Sequence, residues 1–77
     1  MEILDALNTI FREELDDPKL QITHEFSQDD LQTWDSLANV RIIASIEERF
    51  GFQFSLSQIE EATSVSALMD VIAANQA

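Results

Sequence analysis

A serine held between an acid and a leucine, Asp35-Ser36-Leu37, is the place in this sequence where residue types and spacing offer a definite chemistry. At the first turn of a helix a serine hydroxyl is accessible, and the orphan backbone N–H groups beside it favour a bound phosphate. The chemistry on offer is attachment to the hydroxyl rather than catalysis by it. A serine is a weak nucleophile unless a base activates it, and the single histidine, His24, is distant in sequence with no second member at its side. His24 is accordingly expected to be an ordinary loop residue. No nucleophile and base pair, metal constellation or phosphate-cradling glycine loop is present, so no catalytic residues are expected and an independent enzyme is set aside. Asp29, Asp30 and Asp35 lack the glycine and the ligand spacing of a calcium-binding helix-loop-helix, so no metal site is expected either.

The elements that must position Ser36 are helical. Residues 2 to 16 carry Ile3, Leu7, Ile10 or Phe11 and Leu15 at helical spacing, and Asp17-Pro18 is expected to end that first helix. Residues 17 to 35 form a connection too long to be left loose in so small a domain. Ile22, Phe26, Leu31 and Trp34 are its expected anchors, with one short turn beginning at Ser27. Asp35 is placed to cap a second helix over Ser36 to Phe50, and Gly51 stands at the usual stopping position. Phe52, Gln53 and Phe54 are read as loop. A capping box at Ser57 and Glu60 predicts a short third helix over 57 to 61. Thr63 or Ser64 then caps a fourth with the stripe Val65, Leu68, Met69 and Ile72, before a polar tail that should fray. The expected fold is all-α: a small four-helix bundle of three longer helices and one short one, with a long connection between the first and second. Residues 1–77 are expected to make one domain.

On the second helix, steps of about 100° place Val40, Ile42, Ile43, Ile46 and Phe50 in one broad arc, expected to face the core. Leu37 falls outside it, on a side shared with Arg41, Ala44 and Glu48, and is expected to be partly exposed. Fifteen Asp and Glu against four Lys and Arg give a net charge of -11. That balance points away from nucleic-acid backbones and anionic membrane surfaces and towards basic partners. A hydrophobic content of 45% argues against disorder. The start of the chain resembles neither a signal peptide nor a membrane span, and there is no cysteine, so a soluble, monomeric cytoplasmic protein is expected.

Thr33-Trp34-Asp35-Ser36-Leu37-Ala38-Asn39-Val40, followed by Ile46-Glu47-Glu48-Arg49-Phe50, resembles the Asp-Ser-Leu region and second helix of acyl carrier proteins. The likeness continues at matching spacing through Phe54, Glu60-Glu61 and Thr63-Ser64-Val65 to Ile72. This resemblance implies that a phosphopantetheinyl transferase moves the 4'-phosphopantetheine of coenzyme A onto Ser36. The arm would then hold acyl intermediates as thioesters for partner enzymes of fatty-acid, polyketide or related lipid biosynthesis, without insertion into a membrane. It further implies that Asp35, Leu37, Val40, Arg41, Ala44, Glu47, Glu48 and Glu60 meet basic docking patches on those enzymes. Ile43, Ile46, Phe50, Ile59 and Leu68 are candidates for a pocket that shelters the acyl chain, or for plain core.

Two departures from the family pattern stand out. Arg41 occupies a position where fatty-acid carriers usually have an acid, which points to a specialised pathway carrier. Trp34 replaces a smaller apolar residue, and Gln32-Thr33 replaces the usual Leu-Gly pair before it. Trp34 is expected to pack the long connection onto the bundle, or else to rest beside the arm. A peptidyl or aminoacyl carrier is the first alternative, because the attachment chemistry is shared. An acidic helical interaction module without a prosthetic group is the second.

Overall fold

Apolar residues recurring at three- and four-residue intervals give the first helix a single buried face. In the computed structural model, which describes residues 2–75, this helix, α1, spans Glu2–Glu14 and buries Leu7, Ile10 and Phe11. It stops earlier than expected, and Pro18 is not what stops it. Asp16 adopts the left-handed conformation, with φ 53°, and the Asp17 N–H returns to the Arg12 carbonyl at 3.0 Å. These are the marks of a Schellman-type ending, in which a short polar side chain tolerates the left-handed position.

The connection over residues 15–35 is pinned from both sides. Ile22 and Trp34 are fully buried, and Leu20, Phe26 and Leu31 pack against the same core. Asn8 of α1 grips the connection's backbone: its Oδ1 accepts the Ile22 N–H at 2.7 Å, and its Nδ2 donates to the Ile22 carbonyl at 3.3 Å. The expected short turn is a 3-10 helix over Gln28–Asp30, with the Ser27 N–H donating to the Asp30 carboxylate at 2.9 Å. On either side of Ser27, the Phe26 carbonyl accepts the Val65 N–H at 2.9 Å and the Gln28 N–H reaches the Thr63 carbonyl at 3.0 Å. A single antiparallel bridge therefore ties the connection to the start of the last helix.

The second helix, α2, runs over Ser36–Phe50 and ends at Gly51, whose φ of 76° is left-handed. It packs against α1 and buries Ala38, Asn39, Ile42, Ile43 and Ile46. Val40 is the correction. Expected in the core arc, it is 60% exposed, and the buried arc is centred instead on Ile46. Asn39 lies within the expected arc and is buried with polar partners, while the arc extends the other way to Ala38, 2% exposed, so Val40, about 60° beyond Ile43, is left in solvent.

Helix α3 spans Leu56–Glu61 and is capped by Ser55, not by Ser57: the Ser55 Oγ accepts the Gln58 N–H at 3.2 Å, and the Gln58 side chain accepts the Ser55 N–H at 2.8 Å. Ser55-x-x-Gln58 and Ser57-x-x-Glu60 are overlapping boxes. The earlier one wins because Phe54, just before it, is buried, and the Phe54 N–H donates to the Glu47 carboxylate at 2.7 Å. Phe54 and Ile59, both in or against the core, also have the spacing of a hydrophobic staple. Helix α4 spans Val65–Asn75. Ser64, rather than Thr63, caps it by accepting the Ala67 N–H at 3.1 Å, and Val65, Leu68 and Ile72 are buried. Helical structure continues through Asn75, and the rest of the tail expected to fray, Gln76 and Ala77, lies outside the described residues. The architecture is the expected all-α bundle of three longer helices and one short one.

Candidate functional site

Ser36 is the first residue of α2 and is exposed. What precedes and follows it is firmly held. Asp35, in extended conformation, accepts the Ala38 N–H on its carboxylate at 2.9 Å and the Asn39 N–H on its carbonyl at 2.8 Å. Asp35 is thus the expected helix cap. One residue earlier, the Trp34 ring is 1% exposed and stands edge-on to Phe11, with centroids 4.8 Å apart. Trp34 therefore packs the connection onto the bundle, and the alternative, in which its ring lies beside an arm in solvent, does not fit a buried indole. With the Ala38 and Asn39 amides satisfied, those of Ser36 and Leu37 have no protein acceptor among the described residues. An accessible hydroxyl and two free N–H groups at the positive end of a 15-residue helix fit a phosphodiester on Ser36.

Around Ser36 the outward half of α2 presents an apolar strip with charged edges. Leu37 is 75% exposed and Val40 60%, and Ala44, Arg41 and Glu48 are exposed with them. Single exposed apolar side chains are common, but here two lie next to one another within about one turn of the attachment candidate. The acids do not all contribute equally. Glu47 is half-buried and engaged with the Phe54 N–H, whereas Glu48 is free to face solvent. Glu60 and Glu61 are exposed but belong to α3. Arg41 is turned towards α1, with its Nε 3.7 Å from Glu14 Oε1. The other Glu14 oxygen accepts from the Ser45 hydroxyl at 2.8 Å.

The candidate pocket residues are packed together. Ile43, Ile46 and Leu68 are buried in the core, with Phe50 and Ile59 half-buried against it. An open surface cleft lies instead at the tail of α2, lined by Ala44, Glu47, Glu48, Gly51, Phe52 and Gln53. His24 is exposed in the connection.

Asn39 is the site residue that the sequence reading passed over. Its Oδ1 accepts the Trp34 indole N–H at 2.9 Å, and its Nδ2 donates to the Ala62 carbonyl at 3.1 Å. The available signal was Trp34 itself, because a buried indole N–H needs an acceptor and Asn39 lies within reach on the next turn.

The sequence matches the family model described as "Phosphopantetheine attachment site" over residues 2–72. Among solved structures, the solution NMR structure of the holo acyl carrier protein from Geobacter metallireducens superposes with a TM-score of 0.84 at 36% sequence identity, covering 95% of this chain and 84% of that one. No curated protein sequence matches significantly.

Proposed function

Because this chain belongs to the acyl carrier protein family, whose members bear a covalent 4'-phosphopantetheine, we propose that the hydroxyl of Ser36 is the point of attachment and that residues 1–77 act as one carrier domain. The observation that carries the assignment is the exposed Ser36 at the head of a capped helix, beside two unclaimed backbone amides. The chain is a carrier and not an enzyme, as its family is.

When attached, the arm supplies a terminal thiol on which acyl groups are held as thioesters. The chain's own residues present the attachment point and the docking face. The Asp35 carboxylate is committed to the Ala38 N–H and holds the first turn of α2 in place, so the Ser36 hydroxyl projects from a fixed base. The Ser36 and Leu37 amides favour the negative charge of a phosphodiester. The Asp35 carboxylate beside Ser36 in sequence is taken up by the Ala38 N–H, so removal of the Ser36 hydroxyl proton falls to the transferase that modifies it. A tether at this position raises the effective concentration of its load at each enzyme whose active site the arm can reach.

Members of this family work with a phosphopantetheinyl transferase and with acyl-processing enzymes. For this chain the reading is that Leu37, Val40 and Ala44 meet an apolar surface on such enzymes, while Asp35, Glu48 and Glu60 meet basic side chains at the rim. A monomer with a net charge of -11 suits that role, and nucleic acid and membrane surfaces do not suit that charge. Among the described residues no helix is long and apolar enough to cross a membrane. Arg41, exposed and paired with Glu14, interrupts the acidic rim and supports service in a specialised fatty-acid, polyketide or related lipid pathway rather than with the general fatty-acid enzymes. An aminoacyl or peptidyl load would use the same attachment.

The test is an intact mass measurement. Incubation with coenzyme A and a permissive transferase should add one phosphopantetheine to the wild-type chain and none to Ser36→Ala. Addition to Ser36→Ala would move the site elsewhere.

A further inference from the structure

We propose that Asn39 is the positioning residue of the attachment site, orienting the Trp34-Asp35-Ser36 segment and locking it to the end of α3. The proposal rests on the reading of Ser36 as the attachment point. Asn39 holds this segment twice. Its side-chain oxygen accepts the Trp34 indole N–H at 2.9 Å, and its backbone N–H donates to the Asp35 carbonyl at 2.8 Å. Its remaining side-chain donor goes to the carbonyl of Ala62, the residue that closes α3, at 3.1 Å. Only one orientation of the amide satisfies both side-chain partners, with oxygen towards the indole and nitrogen towards the carbonyl, so the network fixes the rotamer as well as the contacts.

Packing alone does not account for an asparagine here. Asn39 is 7% exposed in a face otherwise made of Ala38, Ile42, Ile43 and Ile46. An apolar residue would fill the same space, but the buried indole N–H and the Ala62 carbonyl would then lose their partners. What the amide adds is direction. Trp34 is fully buried two residues before Ser36, so the angle at which the chain enters α2 follows the seating of the indole, and Asn39 sets that seating. Through Ala62 the same residue makes the placement of Ser36 depend on the end of α3.

The apolar docking strip of Leu37, Val40 and Ala44 is exposed on another side of α2 and makes no contact with the network, so loss of the network should impair presentation more than recognition. The full-length chain, with coenzyme A and a permissive transferase, is assayed as wild type, Trp34→Phe, Asn39→Leu, Asn39→Asp and the Trp34→Phe/Asn39→Leu double variant. The temperature is one at which each variant keeps wild-type helical circular dichroism. Trp34→Phe and Asn39→Leu should each lower kcat about tenfold with KM for the carrier within about twofold. The double variant should be no slower than the worse single one, because both remove the same hydrogen bond. Asn39→Asp, which keeps an acceptor for the indole, should retain more activity than Asn39→Leu. If Asn39→Leu does not fold, Trp34→Phe decides the matter, because it keeps an aromatic ring against Phe11. Folded variants with wild-type kcat, or a double variant showing the product of the single losses, overturn the role of Asn39. A wild-type chain that gains no mass, or a Ser36→Ala chain that does, overturns the attachment reading and this proposal with it.

Discussion

Helices α2 and α3 begin alike and are held in different ways. Each follows an extended residue whose side-chain oxygen accepts a backbone N–H, Asp35 from Ala38 in one and Ser55 from Gln58 in the other. Beyond that first turn they diverge. Helix α2 has 15 residues, five of them buried, and a left-handed glycine at its end, whereas α3 has six residues and none fully buried. A helix this short is not stable by its own hydrogen bonds. Its place depends on the residues around it: Phe54 before it, Ala62 after it, and the hydrogen bonds with Glu47 and Asn39 that hold those two. The proposed attachment serine thus stands on the rigid element, while the neighbouring short helix is the one whose local opening costs least.

Five substitutions would break or sharpen that contrast. The largest effect is expected in the core beneath α2. Ile46→Ala should cost about 2–5 kcal/mol in urea denaturation, and Ile59→Ala on α3 clearly less, because Ile46 is fully buried and Ile59 only half so. Equal losses would mean that α3 is as deeply integrated as α2. Next come the caps. Asp35→Ala should lower global stability by about 1 kcal/mol, while Ser55→Ala should appear chiefly as faster amide exchange confined to α3. A global loss from Ser55→Ala as large as that from Asp35→Ala would remove the distinction. The smallest effect on stability is expected from Arg41→Glu, since the exposed pair with Glu14 contributes no more than about 1 kcal/mol. Its effect should be on partner choice, with acylation by general fatty-acid enzymes rising relative to that by dedicated ones. If neither activity changes, Arg41 has no part in partner choice.

Much of the site was legible in the sequence because its signals are local. The Asp35 cap, the start of α2 at Ser36 and the stop at Gly51 depend on backbone groups within a few residues, and each stands where the spacing put it. The burial of Ile22 and Trp34 followed from the need to pin a long connection with its few apolar residues. What could not be read were choices between local signals of similar strength. Two capping boxes overlapped at residues 55–60, and the burial of Phe54 selected the earlier one. Pro18 looked like the end of α1, yet a left-handed Asp16 had already turned the chain.

The sequence by itself determined an acidic, all-helical carrier with a serine at the head of its second helix, because helix periodicity, caps and motif spacing are properties of neighbouring residues. Only the tertiary structure decided which way α2 faces. A projection around one helix sums apolar side chains and counts asparagine as polar. The partners that bring Asn39 inside, the indole of Trp34 and the carbonyl of Ala62, come from other segments and meet it only when the chain folds. Their arrival buries Asn39, and with Ala38 also buried the inward arc stops short of Val40, which stands beside Leu37 on the surface that other proteins can reach.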